Sequence, residues 1–423
     1  MMSDPAQAPD PAAADGGESA PPQGYLLLSG AELEPRERKL HSRVRLLALR
    51  GLLQGPPGAL SPRSRRSLAA LQAQLRLIAA ARPAPLLAAL TRPELEGPAL
   101  CLDAGVGEPG ALWSALAPTL LAALAGAVDE ALLWEGEIDE LLLPDGDLLR
   151  PPRPFTAISA DRAGIHVEHD GQIVPVAAVE GARRPAAHPI RPGLALGLVD
   201  RNPVAMQEDH PEKDGNALRL DGRGPEVWAA ALEGALALID AGLPGWLQGP
   251  GQGLARLLPV GFEAERHLSA SYRELPSQAY LSLHPDPLTL AEAVVHEAQH
   301  GRLNRLLLLD PALRNGRSAW TPSPVRPDLR PLIGVLLAVH AFIPVAALHR
   351  GLADRGHPAA QGPSFARRRA QVLQSDAHGM QILAQLGEWT PAGAQLFADL
   401  GALLAWAAEG QRGEVGDINQ IPG

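Results

Sequence analysis

The stretch Ala291–Leu309, AEAVVHEAQHGRLNRLLLL, decides how the chain is read. Inside it His296-Glu297-Ala298-Gln299-His300 forms an H-E-x-x-H pattern. On a helix, residues four apart lie one above the other. His296 and His300 therefore aim two imidazoles at one point, the core of a divalent-metal site. Asn304 continues that face one turn later and is counted with the cofactor-binding candidates. Ala293, Val294, Val295, Leu303, Leu306 and Leu307 suit a helix packed inside a domain. Three fixed positions in five arise by chance in about a few per cent of chains this rich in His and Glu. An apolar helix directly after an extended segment is the context that favours a real site.

Working outward, Gln278–His284 (QAYLSLH) alternates Ala279, Leu281 and Leu283 against Tyr280 and Ser282, which predicts a strand ended by Pro285-Asp286-Pro287. A strand beside a metal helix can pair with an extended peptide through backbone hydrogen bonds, so Tyr280 and Ser282 are substrate-binding candidates. Downstream, a Pro- and Arg-rich connection, Asp310–Pro331, leads to an apolar helix at Leu332–Leu348 in which Pro344 predicts a kink. A helical pair, Phe365–Leu386 and Ala392–Ala408, closes the domain.

Two histidines do not hold a catalytic metal, and a third donor is needed. Leu303 and Leu306 exclude the longer pattern that continues H-x-x-G-x-x-H. Leu332–Leu348 carries no acid but has His340 in its apolar middle, and a hairpin-like return would bring it beside the first two. His340 is the first choice, with His349 and His378 in reserve and Asp376 or Glu388 as carboxylate alternatives. Such a set suits either a redox-active iron with open positions or a zinc ion, for which Glu297 would be the general base.

Composition narrows the class. The chain of 423 residues has a net charge of −10, which argues against a nucleic-acid partner. Its single cysteine, Cys101, excludes an internal disulfide and a thiolate-rich zinc site and fits a reducing compartment. The start, MMSDPAQAPD, is acidic and has no apolar core, so no secretory signal is expected. The apolar run Ala111–Val128 is interrupted by Ser114, Pro118, Thr119 and Gly126, which predicts a buried helix and no membrane span. A cytoplasmic location is the expectation.

The organisation expected is α+β, mainly helical. A disordered tail at 1–24 is followed by a helical N-terminal region at 25–150, with helices from Glu34, at Arg65–Ala81, at Pro83–Leu90 and at Gly110–Leu133. A mixed region at 151–263 has strands at Phe155–Ser159, Gly164–Glu168, Ile173–Val179 and Gly193–Val199 and a helix at Glu226–Ala241. The helical metal-binding domain occupies 264–423.

VVHEAQHGRLNRLLLL, VRPDLRPLIGVLLAVHAF and YLSLHPDPLTLAEA together resemble the HEXXH-motif peptide-modification proteins, the 2-oxoglutarate-dependent HExxH-type peptide β-hydroxylases of ribosomal peptide pathways. The resemblance covers about Ser269–Ala347. It implies iron(II) as the metal, 2-oxoglutarate and O2 as cosubstrates, and a side chain of a precursor peptide as the target. Where the family has a tryptophan before the first arginine of the downstream segment, this chain has Val325 before Arg326. The family's helix histidine, near the position of Leu337, lies one turn on at His340. A 2-oxoglutarate site needs a cation for the distal carboxylate, and arginine offers a bidentate fork. Arg330, entering the helix that bears His340, is the first choice and Arg326 the second. A zinc-dependent peptidase is the alternative.

Overall fold

The computed structural model describes residues 33–207, 215–246, 253–322 and 328–409, so the tail expected at 1–24 lies outside the described residues. Five helices come first: α1 (Leu33–Gln54), α2 (Pro62–Ala81), α3 (Ala84–Ala89), α4 (Pro93–Ala104) and α5 (Pro109–Leu124). Nine strands follow: β1 (Leu132–Ile138), β2 (Leu141–Leu142), β3 (Asp147–Arg150), β4 (Phe155–Asp161), β5 (Gly164–His169), β6 (Gln172–Pro175), β7 (Ala182–Pro185), β8 (Ala187–Arg191) and β9 (Leu194–Gly197). Then come α6 (Pro225–Gly242), β10 (Arg256–Phe262), β11 (Ser269–Ala270), β12 (Gln278–Leu283) and α7 (Pro287–Leu307). The chain closes with β13 (Trp320–Pro322), β14 (Leu329–Pro331), α8 (Leu332–Asp354), α9 (Pro363–Leu386) and α10 (Pro391–Ala408). The α+β class is as expected.

The many prolines have a use in this architecture. Pro62, Pro93, Pro109, Pro225, Pro287, Pro363 and Pro391 each stand in the first turn of a helix, where a missing N–H costs nothing and the fixed φ suits the helix. Ser61, Glu108, Asp286 and Thr390 cap four of these starts with side-chain oxygens.

The described residues pack around two large cores. In the first, α1 to α5 cover the antiparallel sheet β1-β4-β5-β6 through Leu68, Leu71, Trp113 and Leu120 against Leu132, Trp134, Ile158 and Val167. In the second, α6 to α10 gather with β9, β10 and β12 around Trp228, Leu257, Val294, Val339 and Leu400. The sheet there runs β11-β12-β10-β9-β8, with β9, β10 and β12 parallel and α6 as the crossover between β9 and β10. The strands expected as one mixed region are thus divided between two cores. The helix expected through Leu133 stops at Leu124: Gly126 turns the chain with φ 79°, and β1 takes up the last two of the expected residues. Arg256 of β10 joins the two halves by pairing with Glu94 of α4 at 2.9 Å, and the Gln278 amide donates to the Pro93 carbonyl at 3.2 Å.

α8 is long and apolar enough to cross a membrane, with a mean hydropathy of 2.1 over its most apolar window, but 72% of that window is buried in the protein. It runs through Pro344 as one helix, packed among α6, α7, α9 and α10. Its crossing with α6 is set by two glycines: a methyl group on Gly351 would strike the backbone of Gly242, and one on Gly242 would meet Leu348. Gly351→Ala should therefore force the helices apart and cost about 1–3 kcal/mol, as overpacking does. Gly234→Ala on the exposed face of α6, where a methyl meets nothing, should be neutral or gain up to about 1 kcal/mol. Thermal denaturation of the two variants side by side checks the pair, and equal melting temperatures would contradict the crossing.

Candidate metal centre

α7 begins at Pro287, because the Asp286 carboxylate accepts from the Leu288 and Thr289 amides, each at 3.2 Å, and Pro287 fills the first position. The helix runs unbroken to Leu307 and buries charged and polar groups on nearly every side: Glu292, Glu297, Gln299, Arg302, Asn304 and Arg305. β12 supports it from below and α8 lies along its side.

His296 and His300 are half-buried, and their Nε2 atoms stand 2.9 Å apart with the rings at 90°. That spacing is an N–H···N hydrogen bond if one imidazole donates. It also fits adjacent positions on one ion, since two donors about 2.1 Å from a metal and at right angles lie about 3.0 Å apart. Burial lowers the His300 pKa against the opposing charge of Glu297, which keeps the ring neutral and its lone pair available. The Phe342 ring of α8 packs edge-on against His296, with centroids 4.5 Å apart. Glu297 is 2% exposed, and its Oε2 and the His300 Nδ1 have no hydrogen-bond partner among the described residues.

The antiparallel return of α8 puts His340 beside this pair. Its ring is fully buried, next to the backbone of Gln299. Burial, then the charges of Arg302 and His300, hold its pKa well below the usual imidazole range. Even so, among the described residues no three His, Cys, Asp or Glu side chains converge as a complete ligand set. The pair has the spacing of two donors on one ion, and His340 lies adjacent to it without joining it as a third among the described residues.

The alternatives separate clearly. His349 is buried on α8 with Nε2 2.7 Å from Glu292 Oε1, one helical turn before His296. Asp376 on α9 is 1% exposed, with a pKa that burial raises well above the carboxylate range against the opposing Arg368 charge. His378 and Glu388 are exposed, His378 on the outer face of α9 and Glu388 in the turn before α10. Asn304 is buried on α7.

Arg330, half-buried in β14, pairs with Asp328 at 3.3 Å and packs over Gly334 in the first turn of α8. Arg326 lies outside the described residues. The expected role of Tyr280 and Ser282 in binding a peptide needs correction. β12 is a central strand, paired in parallel with β10 and antiparallel with β11, so no edge faces a peptide along Ala270 and Ser269. Tyr280 is fully buried and donates to the Asp200 carboxylate at 2.8 Å, while the Ser282 hydroxyl accepts from the Leu268 amide at 2.9 Å. Both side chains are structural.

Four groups escaped the sequence reading. Glu292 was visible in principle, being four residues before His296 on the same face. Its partner Arg368 and the ring of Phe342 are brought in by tertiary packing. Arg302, 1% exposed on α7, is the cation that bears on His340.

Buried imidazoles make the protein acid-sensitive. His41 on α1, mostly desolvated and near Arg305, Arg45 and Arg302, has its pKa lowered to about 2, and His300 and His340 are lowered too. The unfolded chain takes up these protons first, once the pH falls below about 6.5. Stability is therefore complete above that value and declines as the pH falls toward the folded values. The melting temperature should drop between pH 7.5 and 5, and His41→Gln should flatten the drop. An unchanged slope in that variant would count against a buried neutral His41. Compared with known proteins, the chain matches no family model and no curated sequence.

Proposed function

We propose that the protein is a non-haem iron(II), 2-oxoglutarate-dependent oxygenase that hydroxylates a side-chain β-carbon of a ribosomally synthesised precursor peptide. The observation that carries the metal is the convergence of two half-buried imidazoles at 2.9 Å on α7. The resemblance of Ser269–Ala347 to the HExxH peptide-modification proteins supplies the choice of iron. Bound iron(II) with 2-oxoglutarate and O2 provides the oxidising power to insert an oxygen atom into a C–H bond.

The protein's own residues then have separable tasks. His296 and His300 donate to the metal as neutral imidazoles, with His340 as the third donor. Arg330 receives the distal carboxylate of 2-oxoglutarate. Its bond to Asp328 is a surface pair with a half-exposed carboxylate, so exchanging one carboxylate for another costs little. Asn304 lies on the same face as the histidine pair, and Arg326 is the second cation. The peptide approaches over the accessible rims of the half-buried His296 and His300, because β12 offers no edge. A reducing compartment agrees with the lone cysteine.

A zinc peptidase is the second reading, and one observation favours it. Glu297 is buried beside the pair with Oε2 unpartnered among the described residues, where it could take a proton from an attacking water. The two readings divide on Glu297→Gln: a peptidase loses turnover altogether, whereas an oxygenase keeps turnover reduced by about 10–100-fold through the lost outer contact.

The test is mass spectrometry of a precursor peptide encoded beside this chain, with each component omitted in turn. The peptide should gain one oxygen atom with its backbone uncut only when iron(II), 2-oxoglutarate and O2 are all supplied. Arg330→Ala should raise the 2-oxoglutarate requirement more than it weakens peptide binding. Peptide fragments formed with zinc and without 2-oxoglutarate would replace the oxygenase by the peptidase.

A further inference from the structure

Glu292 is 8% exposed and lies one turn before His296 on the same face of α7. Its Oε1 meets His349 Nε2 of α8 at 2.7 Å, and its Oε2 accepts from Arg368 of α9 through Nε at 2.9 Å and Nη2 at 2.6 Å. Burial works to raise the carboxyl pKa, but the bonds and charges of His349 and Arg368 outweigh it and hold the group ionised. Three helices thus meet at one carboxylate. Arg368 also stands 6.0 Å from the centroid of Phe342, whose ring packs against His296 at 4.5 Å. Two routes lead from this cluster to His296: one turn of α7 backbone, and the Phe342 ring held between Arg368 and the imidazole.

Helix cohesion alone does not explain the cluster. Apolar side chains of similar volume hold helices together at least as well as a buried ion pair, which must first be desolvated. What a multiply bonded carboxylate adds is fixed direction, since each bond weakens quickly when its angle or length changes. We propose that Glu292, His349 and Arg368 form a positioning triad that fixes the placement of the His296 imidazole and thereby sets the divalent-metal affinity of the centre. The inference rests on the reading of His296 and His300 as metal donors. Glu292 is the hub, and the other two act through it.

Cobalt(II) titration of the full chain, followed by its visible absorption and with melting temperatures recorded alongside, tests the triad. The wild type should bind one equivalent, and His296→Ala should bind none. Glu292→Gln, which keeps the shape and loses the charge, should weaken binding by about 10–100-fold and shift the absorption band. Arg368→Gln should act in the same direction, and Arg368→Lys should recover part of the loss. Wild-type affinity and spectrum in both Glu292→Gln and Arg368→Gln, with His296→Ala still unable to bind, would overturn the triad and leave the metal reading standing. Failure of the wild type to bind cobalt, or undiminished binding by His296→Ala, would overturn the metal reading and this inference with it. Should Glu292→Gln fail to fold, Arg368→Gln, whose side chain is 40% exposed, decides by the same criteria.

Discussion

A helix that must bury its charges constrains the rest of the second core. α7 carries Glu292, Glu297, Arg302 and Arg305 into the interior, at 8%, 2%, 1% and 3% exposure, where an ion without partners would not be tolerated. Neighbouring elements supply partners for Glu292 and Arg305. α8 and α9 bring His349 and Arg368 to Glu292, and the Gly253 carbonyl accepts from Arg305 Nη2 at 2.7 Å. α1 crosses from the first core to place His41 near the arginines. Gly301, where any side chain would strike the Pro276 carbonyl, lets the segment leading into β12 press against the helix. Polar contacts of this kind fix one rotation of α7, and that rotation aims both imidazoles at a shared point.

Local patterns made much of this legible in the sequence. The expected helices at Glu226–Ala241 and Phe365–Leu386 differ from α6 and α9 by two residues or fewer at either end, because their apolar periodicity and proline starts agree. The hairpin-like return of α8 onto α7 was expected from two apolar helices joined by a Pro- and Arg-rich connection, and it does bring His340 beside His300. What failed was information that the chain stores across long separations. The alternation in QAYLSLH describes a half-exposed strand, yet all six residues of β12 are buried, since helices cover one face and the Ala205–Val260 cluster the other. α4 was missed because Pro98 and Gly97 sit in its middle. Gly97 is there because Leu275 packs against it from the other half of the molecule. Arg368 is 76 residues from Glu292, and nothing in either neighbourhood marks the pair.

The two halves meet through polar as well as apolar contacts. Leu275 belongs to the first core although the residues on either side of it lead into the second. The Arg256–Glu94 pair and the Gln278–Pro93 bond lock β10 and β12 to the first turn of α4. The N-terminal helices therefore buttress the sheet that supports α7. Arg201 adds to this seam by donating to the Ala115 carbonyl of α5 at 3.0 Å.

The apolar character of α8 has a consequence for how the chain reaches this state. Before docking, Leu332–Asp354 exposes a segment as greasy as a membrane span, the kind of surface through which partly folded chains aggregate. Three of its four covering helices, however, are near neighbours in sequence: α7 ends 25 residues before it begins, and α9 and α10 follow directly. Short separations between contacting elements speed folding, because little loop entropy is lost before the contacts form. The order of helices along the chain thus limits the time that this segment spends uncovered, and the hairpin that shelters it is the one that brings His340 to the histidine pair.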